Sequence, residues 1–170
     1  MMHKNIRHAY LRVNHAGELG AIHIYKGQLA VLKDTPLRAI LDEMHDHEQA
    51  HLDAFNVILP DEAVRPSALT PLWKWGGFAL GICTGFLGEK AAMACTVAVE
   101  EVIVEHYQEQ IAQLDECDPL REKITAFCAE EEQHRQEGIT YGAETWMGFY
   151  PLTAIIKTVT RTCVGIAKRL

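Results

Sequence analysis

Glu18, Glu48, His51, Glu100, Glu131 and His134 form one pattern written twice along this chain. In each copy a lone glutamate precedes a Glu-x-x-His motif, by 30 residues in the first and 31 in the second. Four carboxylates and two imidazoles so spaced are what a four-helix bundle needs to hold two transition-metal ions in its core. Oxygen-rich ligation with one imidazole per metal disfavours structural zinc, which prefers thiolates and a closed tetrahedron. It suits iron or manganese. Six protein side chains with bridging carboxylates keep metal positions open, where dioxygen could bind and be reduced for hydroxylation or oxidation.

Helices must position these groups. Apolar periodicity predicts helices over about 11–32, 36–59, 90–115 and 119 to 142–146, with a short final helix from Pro151. Thr35-Pro36 and Asp118-Pro119 each read as an N-cap followed by proline at the first helical position. Pro60 is expected to stop the second helix. Helices one and two, and three and four, are joined by tight turns. Between the pairs lies a connection of about thirty residues containing Pro66 and Pro71, then a glycine-rich apolar run over 72–88. The expected architecture is all-α: a ferritin-like four-helix bundle of two hairpins, a long crossover and an extra C-terminal helix. At 170 residues a single domain over 1–170 is the simplest division.

Each ligand candidate interrupts an apolar stripe. Ile22, Tyr25, Leu29 and Leu32 follow Glu18 at helical spacing, while Leu41, Met44, Leu52 and Phe55 surround Glu48. Glu100 lies in line with Met93, Val97, Ile103, Val104 and Tyr107; Glu131 follows Leu120, Ile124 and Phe127. These faces should point at the core. Glu101 lines up instead with Glu105 and Gln108 on a wetter face, so Glu100 is the better candidate. A buried ion costs several kcal/mol after relaxation, against ~5–15 kcal/mol for a whole domain. Four clustered glutamates therefore need protons, basic partners or metal, and Lys26 and Arg12 lie off the stripes. The bland alternative leaves the glutamates solvated and the histidines in ordinary core hydrogen bonds. The doubled register argues against it.

The formal charge of −7, with no basic stretch, argues against a nucleic-acid partner. Five cysteines without a C-x-x-C pair read as small buried thiols in a reducing compartment. The N-terminal residues have no apolar signal core, and no run reaches the ~18 apolar residues of a membrane span. Two segments have membrane-surface character. Residues 72–88 carry Trp73, Trp75, Phe78 and Phe86 beside Lys74; 151–170 pair Leu152, Ile155, Ile156 and Val159 with Lys157, Arg161, Lys168 and Arg169. Burial against the bundle is the competing reading for both.

The chain resembles the demethoxyubiquinone hydroxylases, di-iron monooxygenases of ubiquinone biosynthesis. The likeness runs from about Leu11 to the C-terminus through RVNHAGELGA (12–21), IYKGQ (24–28), DHEQAHLDAFN (46–56), RPSALTPLWKWGGFALG (65–81), AMACTVAVEEVIVEHYQEQI (92–111) and EEEQH (130–134). It implies Glu18, Glu48, His51, Glu100, Glu131 and His134 as ligands of two Fe ions, the set chosen above from periodicity. It implies ring hydroxylation of a prenylated demethoxy-benzoquinol, with O2 as co-substrate and NADH or another external reductant. No nucleotide-binding glycine motif is present, so reduction would pass through the quinone itself or a separate reductase partner. His106 and Tyr107 are candidates to assist electron or proton transfer. The expected partners are the quinone/quinol, a membrane surface, a lipid-binding or reductase protein, and a second copy in a homo-oligomer. The expected place is the cytoplasmic face of a bacterial inner membrane or, in a eukaryote, the matrix side of the mitochondrial inner membrane. The alternatives are a ferritin-type ferroxidase for iron storage, a metal-free helical interaction module, and a di-metal hydroxylase of another apolar substrate.

Overall fold

The computed structural model describes residues 2–169, and among them every regular element is helical. In chain order these are α1 (Lys4–Val31), α2 (Arg38–Asp61), α3 (Thr70–Phe86), α4 (Glu89–Ile111), α5 (Pro119–Thr140), a 3-10 turn (Ala143–Thr145) and α6 (Phe149–Ala167). The all-α, ferritin-like expectation holds.

Local chemistry moves several boundaries. Helix α1 begins at Lys4 rather than near 11, because the His3 side chain accepts from the Asn5 amide at its start. Helix α2 starts at Arg38, with no side-chain cap at Leu37. The Thr35 hydroxyl donates back to the Leu32 carbonyl at 3.1 Å instead of capping α2. Pro60 sits inside the last turn of α2, and the helix ends at Asp61. A proline there forfeits one backbone bond at an end that frays anyway. Asp118 caps α5 as its sequence implies, accepting from Leu120 N at 3.0 Å.

The segment over 72–88 is mostly helix, and glycine explains why its sequence looked irregular. A Cβ on Gly77 would lie 2.6 Å from the Gly20 carbonyl oxygen, and one on Gly81 would collide with the Ile24 carbonyl. Helix α3 thus touches α1 backbone to backbone, an approach that only glycine permits.

The chain consists of two similar three-helix halves. Helix α1 pairs with α2 and carries α3; α4 pairs with α5 and carries α6. Helix α4 is buried nearly all round from Ala91 to Val104, Glu101 excepted, as befits a central helix. Three ion pairs strap α6 to it: Lys157–Glu101 at 2.6 Å, Arg161–Glu105 at 3.0 Å and Lys168–Glu109 at 3.9 Å. Three of the basic residues that suggested an anionic membrane surface are thus engaged with α4. Ile156 is buried in the core, whereas Ile155 and Val159 are exposed. Cys95 and Cys128 are buried, but Cys83 and Cys117 are exposed, contrary to the buried-thiol expectation. No helix among the described residues is long and apolar enough to cross a membrane.

Candidate metal centre

All six ligand candidates meet in the bundle core, each buried. Helix α1 supplies Glu18, α2 Glu48 and His51, α4 Glu100, and α5 Glu131 and His134. They fall into two overlapping groups whose donor atoms lie within 4.8 Å of one another: Glu18, Glu48, His51, Glu131 and Glu48, Glu100, Glu131, His134. Glu48 and Glu131 belong to both, the positions that bridging carboxylates would take.

Both histidines turn the same nitrogen inward. His51 Nδ1 is 3.0 Å from Glu131 and 3.4 Å from Glu18. His134 Nδ1 is 3.4 Å from Glu48 and 3.3 Å from Glu131. Glu48 Oε1, Glu131 Oε2 and His134 Nδ1 are buried without a hydrogen-bond partner. Donors that converge without bonding one another suit a cation between them, so the residues fit a metal pair.

Burial and the crowding of carboxylates together set the protonation of the metal-free cluster. Burial, then the carboxylate of Glu131, pushes Glu48 and Glu100 well above the usual range. Burial opposes charge on His51, but the carboxylates of Glu131 and Glu18 prevail and raise it to about 11. Burial would raise Glu131, yet His134 and His51 hold it down at about 2. Protons thus replace some of the missing positive charge.

Tyr107, a candidate from the sequence, and three groups that the sequence reading missed, Tyr25, Glu130 and His47, surround the ligands. Tyr25 donates to Glu100 Oε1 at 2.8 Å, and Tyr107 donates to Glu18 Oε1. Glu130 lies 2.6 Å from His51 Nε2, and His47 Nδ1 lies 3.1 Å from His134 Nε2. Tyr at Glu plus seven in both halves was the available signal for the tyrosines. Tyr107 therefore touches the cluster, while the neighbouring His106 points elsewhere. Its Nε2 meets Asn14 Oδ1 at 3.0 Å, and burial drives it down to about 3. His106 stays neutral.

An apolar cavity of about 430 Å³ adjoins the cluster, between α1, α3, α4 and α6. Gly20, Gly76, Ile103 and Val164 are among its walls. A smaller void shares Ala21, Ile24 and Val99 with it and ends on Tyr25, Thr96 and Glu100. The backbones of α3 and α6 stay apart, and both helices line the cavity, α3 through Leu72 and Trp73 and α6 through Val159 and Val164. Leu72 and Trp75 on α3 and Ile155 and Val159 on α6 are exposed.

A ferritin-like bundle with a buried carboxylate–imidazole cluster able to hold metal defines the class of protein. The family model described as ubiquinone biosynthesis protein COQ7 matches residues 5–167, and the chain belongs to that family. It is 44% identical over 165 residues to a Homo sapiens protein named NADPH-dependent 3-demethoxyubiquinone 3-hydroxylase, mitochondrial, covering 94% of this chain and 76% of that one. It is 42% identical over 163 residues to the 3-demethoxyubiquinol 3-hydroxylase of Rhodospirillum rubrum, covering 95% and 77%. The Saccharomyces cerevisiae 5-demethoxyubiquinone hydroxylase, mitochondrial, is 36% identical over 178 residues, covering 94% and 76%. These relatives are hydroxylases by name, which favours an enzyme over a storage cage or a metal-free module.

Proposed function

We propose that this chain, acting as one ferritin-like domain, is a di-iron monooxygenase. It hydroxylates the ring of a prenylated demethoxy-benzoquinol with O2 in ubiquinone biosynthesis. The observation that carries the reading is the pair of four-residue ligand groups sharing Glu48 and Glu131, together with an apolar cavity whose walls Ala21, Ile24 and Val99 also line a small void ending on Glu100. Glu18 and His51 would complete one metal position, Glu100 and His134 the other, each histidine through Nδ1. Iron bound there supplies the activation of dioxygen.

The remaining work belongs to the chain's own residues. Tyr25 and Tyr107 orient the outer carboxylates of Glu100 and Glu18. Tyr107 is also placed to hold or move a proton at Glu18, whereas His106 bonds Asn14 instead. The apolar walls exclude water and hold the substrate's tail. Thr96 Oγ1 is buried without a partner beside Glu100, in a void that would have to widen to admit a quinol oxygen.

Two electrons come from an external donor, NADH or the NADPH that the Homo sapiens relative's name specifies. They pass through the quinone or a reductase partner. Exposed Leu72, Trp75, Ile155 and Val159 would meet the surface of a bacterial inner membrane, or of its mitochondrial counterpart, and admit the tail between α3 and α6. A lipid-binding protein or a second copy of the chain would assist at that surface.

The test is single turnover. Anaerobically iron-loaded protein receives reduced demethoxyubiquinol and isotope-labelled dioxygen. The reading expects one labelled oxygen in the quinol ring. An unlabelled ring would sink it, and turnover of a different apolar substrate alone would favour the broader hydroxylase reading.

A further inference from the structure

The doubled pattern breaks at one place. The residue just before each Glu-x-x-His motif reaches across to the opposite histidine: Glu130 of α5 to His51 of α2, and His47 of α2 to His134 of α5. Both contacts fall on Nε2, the nitrogen turned away from the cluster. The two positions correspond, yet one holds a carboxylate and the other an imidazole.

We propose that Glu130 and His47 are positioning residues that make the two metal positions unequal, the His51 side binding metal more tightly than the His134 side. This rests on the di-metal reading above. A metal on Nδ1 forces the imidazole proton onto Nε2, which then needs an acceptor. Glu130 offers an anionic oxygen at 2.6 Å from His51. Hydrogen bonds to a charged acceptor are roughly twice as strong as neutral ones, and they raise the basicity of the ligating nitrogen. His47 offers an imidazole nitrogen instead of a carboxylate, at 3.1 Å, with the two rings 10° from parallel. It fixes the same tautomer of His134 while lending it less electron density.

Removing such an outer partner typically costs about 10–100-fold in metal affinity. The test titrates the full metal-free chain with Co²⁺, following the metal's visible absorption and the number of equivalents bound. Wild type should take two equivalents with unequal affinities. E130Q should weaken the tighter equivalent by about tenfold or more and shift its absorption. H47E, which places a carboxylate at both positions, should tighten the weaker equivalent and draw the two steps together. Glu130 is partly exposed, so E130Q should keep the wild-type melting temperature of the metal-free fold within a few degrees.

Superimposable wild-type and E130Q isotherms overturn the proposal, as does an H47E isotherm no tighter than wild type. Two equivalents unmoved by either change remove this inference alone. A wild-type chain that takes up no Co²⁺ removes the di-metal reading and this with it.

Discussion

Tyr25 on α1 donates to Glu100 on α4 at 2.8 Å, and Tyr107 on α4 returns the contact to Glu18 on α1. Each tyrosine stands seven residues after the glutamate of its own helix and holds the glutamate of the other. Tyr25→Phe keeps the ring and removes the hydroxyl, leaving a buried carboxylate oxygen short of a donor. The cost should be about 1–3 kcal/mol, read as a melting temperature lower by roughly 2–4 °C per kcal/mol. Both metals should still bind. An unchanged melting temperature would mean the hydrogen bond contributes nothing.

Glycines of the α1–α3 region separate into two kinds. Gly77 and Gly81 touch backbone, but an added Cβ at Gly20 or Gly76 meets nothing within 4 Å, and both line the cavity. Gly81→Ala should therefore destabilise the fold through overpacking, by about 1–3 kcal/mol or more. Gly20→Leu should fold and bind metal, yet lose quinol turnover because its side chain occupies the substrate's space. Thermal melts, metal content and product analysis check both variants. Full turnover in Gly20→Leu would place the substrate elsewhere.

Trp73 and Trp75 differ despite their spacing. Trp75 is 75% exposed, whereas Trp73 lines the cavity and lies 3.4 Å from the Ser67 hydroxyl. Trp75→Ala should reduce co-sedimentation with liposomes and leave metal content intact. Trp73→Ala should lower turnover more than vesicle binding. Equal vesicle binding by wild type and Trp75→Ala would speak for a membrane contact elsewhere.

The metal-free chain should melt lower as pH rises above neutrality. Glu48 and Glu100 are raised above their ordinary 4.5, and His51 from 6.5 to about 11. Stability from these groups is full below the unfolded values and fades as pH climbs through the folded ones. His106, lowered from 6.5 to about 3, acts in the opposite sense: its share is lost as pH falls from 6.5 toward 3. With three groups raised and His106 no longer titrating there, the melting temperature should fall between pH 6 and 9. Metal must displace the protons on Glu48, Glu100 and His51, so affinity should increase with pH. Calorimetry of the metal-free chain and proton release on Co²⁺ addition measure both. A melting temperature that rises from pH 6 to 9 would contradict these protonation states.

Residues that announce themselves along one helix were legible in the sequence. Glu18, Glu48, Glu100 and Glu131 interrupt apolar stripes, and a stripe shows which way its interruption points. Tyr25, Glu130 and His47 were not singled out, because their roles are contacts to another helix, and spacing along one helix carries no cross-helix register. Glu105 reads along its helix only as part of a wetter face, for the same reason; its partner Arg161 lies 56 residues away. Helix α3 was obscured by glycines whose low helix propensity is overridden by backbone contact with α1. The metal-free register alone also said nothing of the gap between α3 and α6, which depends on how the two halves dock.

Metal counting on Glu131→Ala and Glu18→Ala beside wild type tests the shared centre most directly. Glu131 belongs to both ligand groups and Glu18 to only one. After anaerobic loading and desalting, wild type should retain two irons per chain, Glu18→Ala one, and Glu131→Ala close to none. Two irons retained by Glu131→Ala, or none by wild type, would contradict a dinuclear site at these residues.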